Sequence, residues 1–362
     1  MKNIVKNVFV VVIIMVTLVG LLSGCTNSKD TKTSDNSQKE KYAKELNFFN
    51  WSEYMPDSVL KKFQEEYGIK VNYSTYSSNE EMLAKIMAGG TGQYDLAVAS
   101  DYMVATMIHQ SLLEKIDKDK ITNLKNIGDV YLNKDYDPGN EYSVPYMAGS
   151  ALIAVNTKKV KFPIKGYSDL WNPTLKSSLV VLDDERAVIG MTLKKMGYSM
   201  NETDPAVLNK AKLELEKLMP NIKAYDSDSP KTLLINGEAA AGYVWNAEAF
   251  LAQQENPDIQ IVIPEEGMYL FEDNFVIPKN APHKKEAELL INFVLRPDIS
   301  AMISKAFPYT NPNMEARKLI DKKIINNIAV YPPEEAIKKG EYIKDVGDKL
   351  RLYDEIWSEI KQ

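Results

Sequence analysis

Asn47-Phe48-Phe49-Asn50-Trp51-Ser52-Glu53-Tyr54 is the stretch of sequence that predicts the fold. It begins as an apolar strand and ends in a turn that releases Trp51, Glu53 and Tyr54 at the carboxyl end of the strand. In an open α/β sheet, ligands bind outside the carboxyl ends of the strands. Two aromatic rings beside one carboxylate suit an organic cation, because the rings attract the cation and the carboxylate pairs with its charge. The alternative is a strand end whose aromatic side chains only pack in the core.

The chain after this strand alternates between helices and strands. Pro56 near the start of a helix and Gly89-Gly90 after another are typical helix boundaries, and Asn79 and Asp101 are expected to cap helices. A βαβαβ order of this kind predicts a parallel sheet covered by helices. The predicted elements are strands at Glu45–Trp51, Lys70–Thr75 and Tyr94–Ala99, and helices at Pro56–Tyr67, Asn79–Ala88 and Asp101–Gln110.

A second lobe is predicted from about Gly149 onward, again from strands and helices in alternation. Its predicted strands are Ala151–Asn156, Ser178–Leu182, Ala239–Trp245, Ile259–Ile263 and Asn274–Ile277. The predicted helices are Ala187–Met196, Pro205–Leu218, Lys284–Leu295 and Pro297–Ala306, and the stretch from Glu334 to Ile360 is expected to be largely helical.

The first residues have the pattern of an export signal. Lys2 and Lys6 precede an apolar run from Val8 to Leu22, and Leu22-Ser23-Gly24-Cys25 follows, which resembles the bacterial lipoprotein box. The alternative is a transmembrane anchor, but the run is shorter than the ~20 residues that a span usually needs. We therefore expect a signal peptide at 1–24, then lipidated Cys25 and a flexible polar tether over 25–44, with the protein held on the outer face of the membrane.

Composition excludes several classes of protein. Cys25 is the only cysteine, so the chain has no internal disulfide and no thiolate metal cluster. The net charge of −6 becomes −8 once Lys2 and Lys6 are removed with the signal, and this charge disfavours nucleic acid as a partner. It is compatible with a cationic ligand.

The sequence is poor in catalytic motifs. Met87-Ala88-Gly89-Gly90-Thr91-Gly92 lacks the Gly-Lys-Ser/Thr ending of a phosphate-binding loop, and His-Glu-x-x-His and Gly-x-Ser-x-Gly do not occur. His109 and His283 are the only histidines, and they fall in a predicted surface helix and loop. We therefore expect no enzymatic activity, no cofactor and no metal site.

Aromatic and acidic residues recur together at predicted strand ends and loops. Acids after strands often only cap helices, but several such clusters in one chain favour a shared acidic and aromatic cleft. The clusters are Ser100-Asp101-Tyr102, Asp183-Asp184-Glu185-Arg186, Trp245-Asn246-Ala247-Glu248, Phe271-Glu272-Asp273-Asn274 and Phe307-Pro308-Tyr309.

Four longer stretches resemble the spermidine/putrescine-binding proteins of bacterial ABC importers. The resemblance covers 45–362 and implies an α/β, two-lobed periplasmic-binding-protein fold of type II, with each lobe a mostly parallel sheet flanked by helices and the ligand in the cleft between lobes. It implies lobe 1 at 45–149 with 274–320 returning to it, and lobe 2 at 150–273 with 321–362 returning to it. The stretches are Asn50–Tyr54, Tyr73-Ser74-Thr75-Tyr76-Ser77-Ser78-Asn79-Glu80, Tyr94-Asp95-Leu96-Ala97-Val98 and Ile291-Asn292-Phe293-Val294-Leu295-Arg296-Pro297-Asp298.

The resemblance also implies the binding residues. Asp184 and Asp273 match the family acids for an inner and a terminal ammonium group. The other matching positions are Trp51, Ser52, Glu53, Tyr54, Ser100, Tyr102, Ser227, Trp245 and Tyr309.

Three positions depart from the family pattern. Ala187 stands where spermidine-binding relatives have a glutamate, Phe271 replaces a tryptophan, and Ile343 replaces a glutamine. Glu248 follows Trp245 by three residues, and we predict that it faces the cleft and supplies the missing carboxylate. The alternative is that Glu248 only favours the first turn of a helix.

The expected function is an extracytoplasmic, monomeric polyamine receptor that delivers its ligand to an ABC permease. The expected partners are therefore the polyamine, the permease and, through Cys25, the membrane. The alternatives are a receptor for another small solute, such as a sugar or an amino acid, and a lipid-anchored hydrolase.

Overall fold

A computed structural model describes residues 42–89 and 92–361, and Tyr42–Gln362 forms one compact unit. The predicted signal peptide, Cys25 and the tether as far as Lys41 lie outside the described residues. Ala43, at the end of the predicted tether, donates its backbone N–H to Glu286 Oε1 at 2.6 Å.

Ten strands lie in the described part of the chain. Two of them are longer than the sequence predicts, because the predicted strands starting at Ala151 and at Asn274 are the ends of the long strands β4 and β9. The strands are β1 Glu45–Trp51, β2 Lys70–Tyr76, β3 Leu96–Ser100, β4 Ser143–Asn156, β5 Leu179–Val181, β6 Ile222–Tyr225, β7 Ala241–Trp245, β8 Ile259–Val262, β9 Tyr269–Val276 and β10 Glu341–Tyr342.

The longer helices of the described residues follow the predicted order as far as Ala306, but the short helices at Lys231–Ile235, Met314–Arg317 and Lys322–Ile325 were not predicted. The other difference lies near the carboxyl terminus. There the predicted helical stretch is divided into α12 and α13 by β10 and by a turn at Gly347, whose φ of 55° suits glycine. The helices are α1 Asp57–Tyr67, α2 Asn79–Ala88, α3 Asp101–His109, α4 Glu185–Lys195, α5 Pro205–Leu218, α6 Lys231–Ile235, α7 Asn246–Glu255, α8 Lys284–Val294, α9 Pro297–Ala306, α10 Met314–Arg317, α11 Lys322–Ile325, α12 Glu334–Lys339 and α13 Leu350–Ile360.

The strands form one sheet in the order β2-β1-β3-β9-β4-β7-β5-β6, with β10 beside β9 and β8 beside β4. The first strand group, β1 to β3, is parallel, and so is the second strand group, β5 to β7. Antiparallel β9 and β4 join the two groups and pair with each other from Ser143–Val276 to Ala151–Tyr269. The carboxyl ends of both parallel groups therefore border the region crossed by β4 and β9.

Two predicted helix caps differ from the structure. The side chain of Ser78, and not Asn79, caps α2 by accepting the N–H of Glu81 at 3.2 Å. At α3 the capping position is Ser100, whose hydroxyl makes no cap because it donates to Asp273 Oδ1 at 2.6 Å. The Ser100 side chain, at the end of β3, therefore bonds to Asp273 on β9 and not to the first turn of α3.

Within the described residues, no helix combines the length and the apolar character that a membrane crossing requires.

Candidate functional site

A cavity lies at the carboxyl ends of both parallel strand groups. The end of β1 and the turn after it contribute Trp51 to Tyr54, and Glu53 there has a φ of 47°, a left-handed conformation that is uncommon for a non-glycine residue. Asp184 follows β5, and Trp245 ends β7. The carboxyl ends of strands from both parallel groups thus place polar and aromatic side chains around the same cavity.

Strand β9 forms the floor of this cavity. Because side chains alternate along a strand, Tyr269, Phe271 and Asp273 share one face, and all three line the cavity. Gly149 on the neighbouring β4 makes room for this arrangement, since a Cβ there would lie 2.4 Å from Cζ of Phe271. The free space, counted out to its open mouth, is ≈530 Å³.

Asp273 is a buried carboxylate held by two hydroxyl groups. Tyr54 donates its OH to Oδ2 at 2.6 Å, and Ser100 donates its Oγ–H to Oδ1 at 2.6 Å. Burial raises the pKa of Asp273 to about 6, although the two hydrogen bonds oppose this shift by favouring the charged form. Asp273 is therefore ionised at neutral pH and lies at the cavity wall with its charge incompletely compensated.

Asp184 lies on the other strand group, at the start of α4. Its Oδ1 accepts the N–H of Ala187 at 2.8 Å, so the same residue caps the helix and lines the cavity. Burial raises the pKa of Asp184, while the N–H of Ala187 and the guanidinium of Arg186 act in the opposite direction. Among the described residues, neither Asp184 nor Asp273 has a lysine or arginine nitrogen in ion-pair contact.

Glu248 lies in the cavity wall, with only 4% of its side chain exposed. Both of its carboxylate oxygens accept from Nζ of Lys231 at 3.0 Å, and the same Nζ lies 2.5 Å from Oε2 of Glu53. Burial raises the pKa of Glu248 to about 7, although Lys231 opposes the shift. The structure thus places Glu248 in the cavity wall and adds Lys231 as its partner, which no sequence pattern indicates.

Aromatic rings make one continuous apolar wall beside these acids. Tyr54 meets Tyr309 with ring centroids 4.8 Å apart, and Tyr309 meets Phe271 at 6.1 Å. Phe271 meets Trp245 edge-on at 5.4 Å. The methylene groups of an extended ligand would lie against this wall, while its charges meet the carboxylates.

Twelve of the thirteen predicted binding residues line this cavity, and the thirteenth, Tyr102, does not. The Tyr102 hydroxyl lies behind the wall, where it donates to Glu80 Oε1 at 2.8 Å and accepts from Asn79 Nδ2 at 3.1 Å. The residues that line the cavity are Trp51, Ser52, Glu53, Tyr54, Ser100, Asp184, Ser227, Trp245, Glu248, Phe271, Asp273 and Tyr309.

Four further residues line the cavity without having been assigned to it from the sequence: Ser77, Asn79, Asp228 and Tyr269. Tyr269 precedes Phe271 by two positions on β9 and so shares its face, but the predicted strand begins only at Asn274, so the sequence did not indicate this alternation. Ser77 and Asn79 follow β2 as Ser52 and Tyr54 follow β1, which is the same strand-end signal. Asp228 adjoins Ser227 but lies in a loop without such a pattern.

Glu272 faces away from this cavity, on the opposite side of β9. Its Oε1 accepts from Tyr136 OH at 2.6 Å, and it lines a separate cavity together with Asp101 and Ile343. Ile343, which departs from the family pattern, is therefore not part of the cavity with Asp273. In the described part of the chain, no group of three or more histidine, cysteine, aspartate or glutamate residues is placed to hold a metal ion.

The chain belongs to the bacterial extracellular solute-binding proteins, a family that matches residues 58–331. More particularly, it is 44% identical to the spermidine/putrescine-binding periplasmic protein of Salmonella typhimurium. The alignment spans 317 residues and covers 87% of this chain and 91% of that protein. The resemblance noted from sequence motifs is thereby confirmed.

Solved structures show the same fold. A spermidine/putrescine ABC transporter protein of Listeria monocytogenes superposes with a TM-score of 0.86 at 35% identity, covering 88% of this chain and 99% of that one. The TpPotD lipoprotein of Treponema pallidum superposes with a TM-score of 0.77 at 33% identity, covering 87% and 99%. The predicted two-lobed fold of type II periplasmic-binding proteins is confirmed by these matches.

Proposed function

We propose that this protein is an extracytoplasmic receptor for polyamines of the spermidine and putrescine class that delivers them to an ABC permease. The single observation that carries the proposal is the buried pair Asp184 and Asp273 beside an aromatic wall. Among the described residues, neither carboxylate is in ion-pair contact with a lysine or arginine, and a buried carboxylate in that state is costly, so such a pair favours a ligand with two ammonium groups. The names of the relatives in Salmonella typhimurium and Listeria monocytogenes support the same ligand class.

The twelve cavity-lining residues named above would hold the ligand, and Tyr102 would act indirectly by orienting Asn79. We propose the lobe boundaries that the sequence implies, 45–149 with 274–320 and 150–273 with 321–362, and the two parallel strand groups on either side of the cavity support this division. Ligand would draw the lobes together by hinge motion at the segments crossing between them. The receptor would act as a monomer, without a cofactor or nucleic acid.

Calorimetric titration with putrescine, spermidine and spermine tests this proposal. We expect at least one of the three to bind with micromolar or tighter affinity, because two buried ion pairs and an apolar wall act together. Titrations with a sugar and with an amino acid test the alternative that the protein is a receptor for another small solute. Absence of binding by every polyamine, or tighter binding of another solute, would contradict the proposal.

The receptor function also implies that the protein is not an enzyme. The family consists of solute-binding proteins, and the acids in the cavity are placed to hold charge. A lipid-anchored hydrolase is the competing function. Measurable turnover of ester or glycoside substrates by the purified protein, abolished by a substitution in the cavity, would favour that alternative.

Cys25 is proposed as the lipid anchor, because it follows Leu22-Ser23-Gly24 and because a structural relative from Treponema pallidum is a lipoprotein. We expect Cys25→Ser to shift the protein from the membrane fraction to the soluble fraction, or to stop its maturation, since firm attachment needs more than one acyl chain. Metabolic labelling with a fatty acid checks the modification directly. Unlabelled wild-type protein would contradict the anchor, and polyamine binding by the Cys25→Ser variant is the control for folding.

A further inference from the structure

The cavity contains a cation of its own. Nζ of Lys231 lies 2.5 Å from Glu53 Oε2, 3.0 Å from each oxygen of Glu248 and 3.2 Å from Ser229 Oγ. The Lys231 side chain is only 18% exposed, and the Glu248 side chain is 4% exposed. This ammonium group therefore has the surroundings that a bound ligand ammonium would have: two carboxylates and a hydroxyl, largely shielded from water.

The position of Lys231 is not explained by its own helix. Lys231 is the first residue of α6, and a cation at the amino end of a helix is repelled by the helix dipole. Burial also lowers the pKa of a lysine, and here the two glutamates outweigh that effect and raise the pKa of Lys231. The carboxylates of the cavity are thus what holds this side chain in place.

Four of the five described acidic residues that line the cavity divide into two sets, and the fifth, Asp228, lies in the loop before α6. The first set is Asp184 and Asp273, which are buried and have no lysine or arginine in ion-pair contact among the described residues. The second set is Glu53 and Glu248, which share the ammonium of Lys231. A ligand with two ammonium groups matches the first set. A third ammonium group would have to approach the second set or the neighbouring Asp228, on which Glu53 acts electrostatically. The ammonium of Lys231 already lies between Glu53 and Glu248 there, so the like charges would repel each other.

We propose that Lys231 is a specificity-determining residue, a built-in ammonium group that fills one end of the cleft so that the site takes a diamine in preference to a triamine. The proposal rests on the proposed polyamine-binding function and adds which polyamine is bound. It also changes the role predicted for Glu248. The carboxylate does face the cleft, but its partner is Lys231 and it does not stand in for the glutamate missing at Ala187.

The test compares putrescine, a diamine, with spermidine, a triamine, by calorimetric titration at pH 7.5. We expect the wild-type protein to bind putrescine at least tenfold more tightly than spermidine. Lys231→Ala removes both the charge and the bulk, and we expect it to change the ratio of the two affinities by at least tenfold in favour of spermidine. The matched control is Lys223→Ala, which removes a lysine that pairs loosely with Glu238 at 3.8 Å away from the cavity. That variant should leave both affinities unchanged.

Two further variants separate charge from space and allow for poor folding of Lys231→Ala. Lys231→Met keeps the length of the side chain without its charge, and it should also shift the ratio towards spermidine. In the double variant Lys231→Met with Glu248→Gln, the third ammonium group loses one of the two carboxylates that Lys231 occupied, so the gain for spermidine should be smaller than in Lys231→Met alone. Thermal melting identifies any variant that is not folded.

The possible failures are distinguishable. A wild-type protein that binds no polyamine contradicts the proposed function itself. A wild-type protein that binds polyamines, with spermidine as tight as putrescine or with a ratio that Lys231→Ala and Lys231→Met leave unchanged, overturns the role of Lys231 and leaves the proposed function standing. A shift seen in Lys231→Ala but not in Lys231→Met also overturns it, because the ammonium charge would then not be the determinant.

Discussion

Asp273→Asn is expected to weaken polyamine binding by about tenfold or more while the protein stays folded. The substitution keeps the shape of the side chain and removes the charge between Tyr54 and Ser100. Truncating or neutralising one partner of a buried charge pair costs ~2–5 kcal/mol, and ~1.4 kcal/mol is a factor of ten in affinity. Titration with the polyamine that binds the wild-type protein most tightly measures the effect.

Glu272→Gln is the matched control for this experiment. Glu272 precedes Asp273 on β9, is equally buried, and faces the opposite side of the strand, where its partner is Tyr136. Neutralising it removes a carboxylate of the same strand without touching the cavity, so affinity should hold. Equal losses in both variants would mean that the strand as a whole had been disturbed, and an unchanged affinity in Asp273→Asn would remove Asp273 from the site.

Polyamine affinity is expected to fall steeply as the pH drops below about 6. A ligand ammonium pairs with the ionised form of Asp273, and below its pKa the carboxyl must first release a proton. For one such group the loss approaches tenfold for each pH unit, since one pKa unit corresponds to ~1.4 kcal/mol. The pKa of Glu248 is raised to about 7, so the fall in polyamine affinity begins nearer to neutral pH if the charge of Glu248 contributes to binding. Alkyl ammonium groups titrate near pH ~10 and stay charged throughout.

The stability of the ligand-free protein should respond to pH in the opposite direction. A carboxyl whose pKa is raised by folding contributes stability below its unfolded pKa, and that contribution is lost as the pH rises through the folded value of about 6. Melting temperatures of wild type and Asp273→Asn between pH 5 and 7.5 isolate this contribution, because the asparagine does not titrate. Titrations at pH 5, 6 and 7.5 measure the affinity, and an affinity that stays constant or rises towards pH 5 would contradict the raised pKa.

Much of the fold was accessible from local sequence patterns. The strand at Glu45–Trp51 has the predicted bounds, and the helices at Pro205–Leu218 and Pro297–Ala306 do as well. Their apolar periodicity and their proline or acidic boundaries are short-range signals that do not depend on distant contacts. The family motifs also predict twelve of the sixteen described residues that line the cavity.

The long strands β4 and β9 were only partly predicted, for a physical reason. Each contains residues with little strand preference, such as Pro145 and Gly149 in β4 and Asp273 and Asn274 in β9. They are strands because they pair with each other over Ser143–Ala151, a contact between segments more than a hundred residues apart. No local pattern records a pairing of that kind.

The sequence by itself determined the class of the protein and the strand ends that bear acids and aromatic rings. It also indicated Asp184 and Asp273, the two aspartates that line the cavity without an ion-pair partner among the described residues. Tertiary structure decided which carboxylates of the cavity are paired within the protein and which remain free to pair with a ligand. Glu248 was predicted to face the cleft, and it does, but Lys231 reaches it from another helix and also meets Glu53, 178 positions away along the chain. The net charge can be summed from the sequence alone. Whether one charge is compensated by another depends on distances of a few ångströms between side chains that only folding brings together.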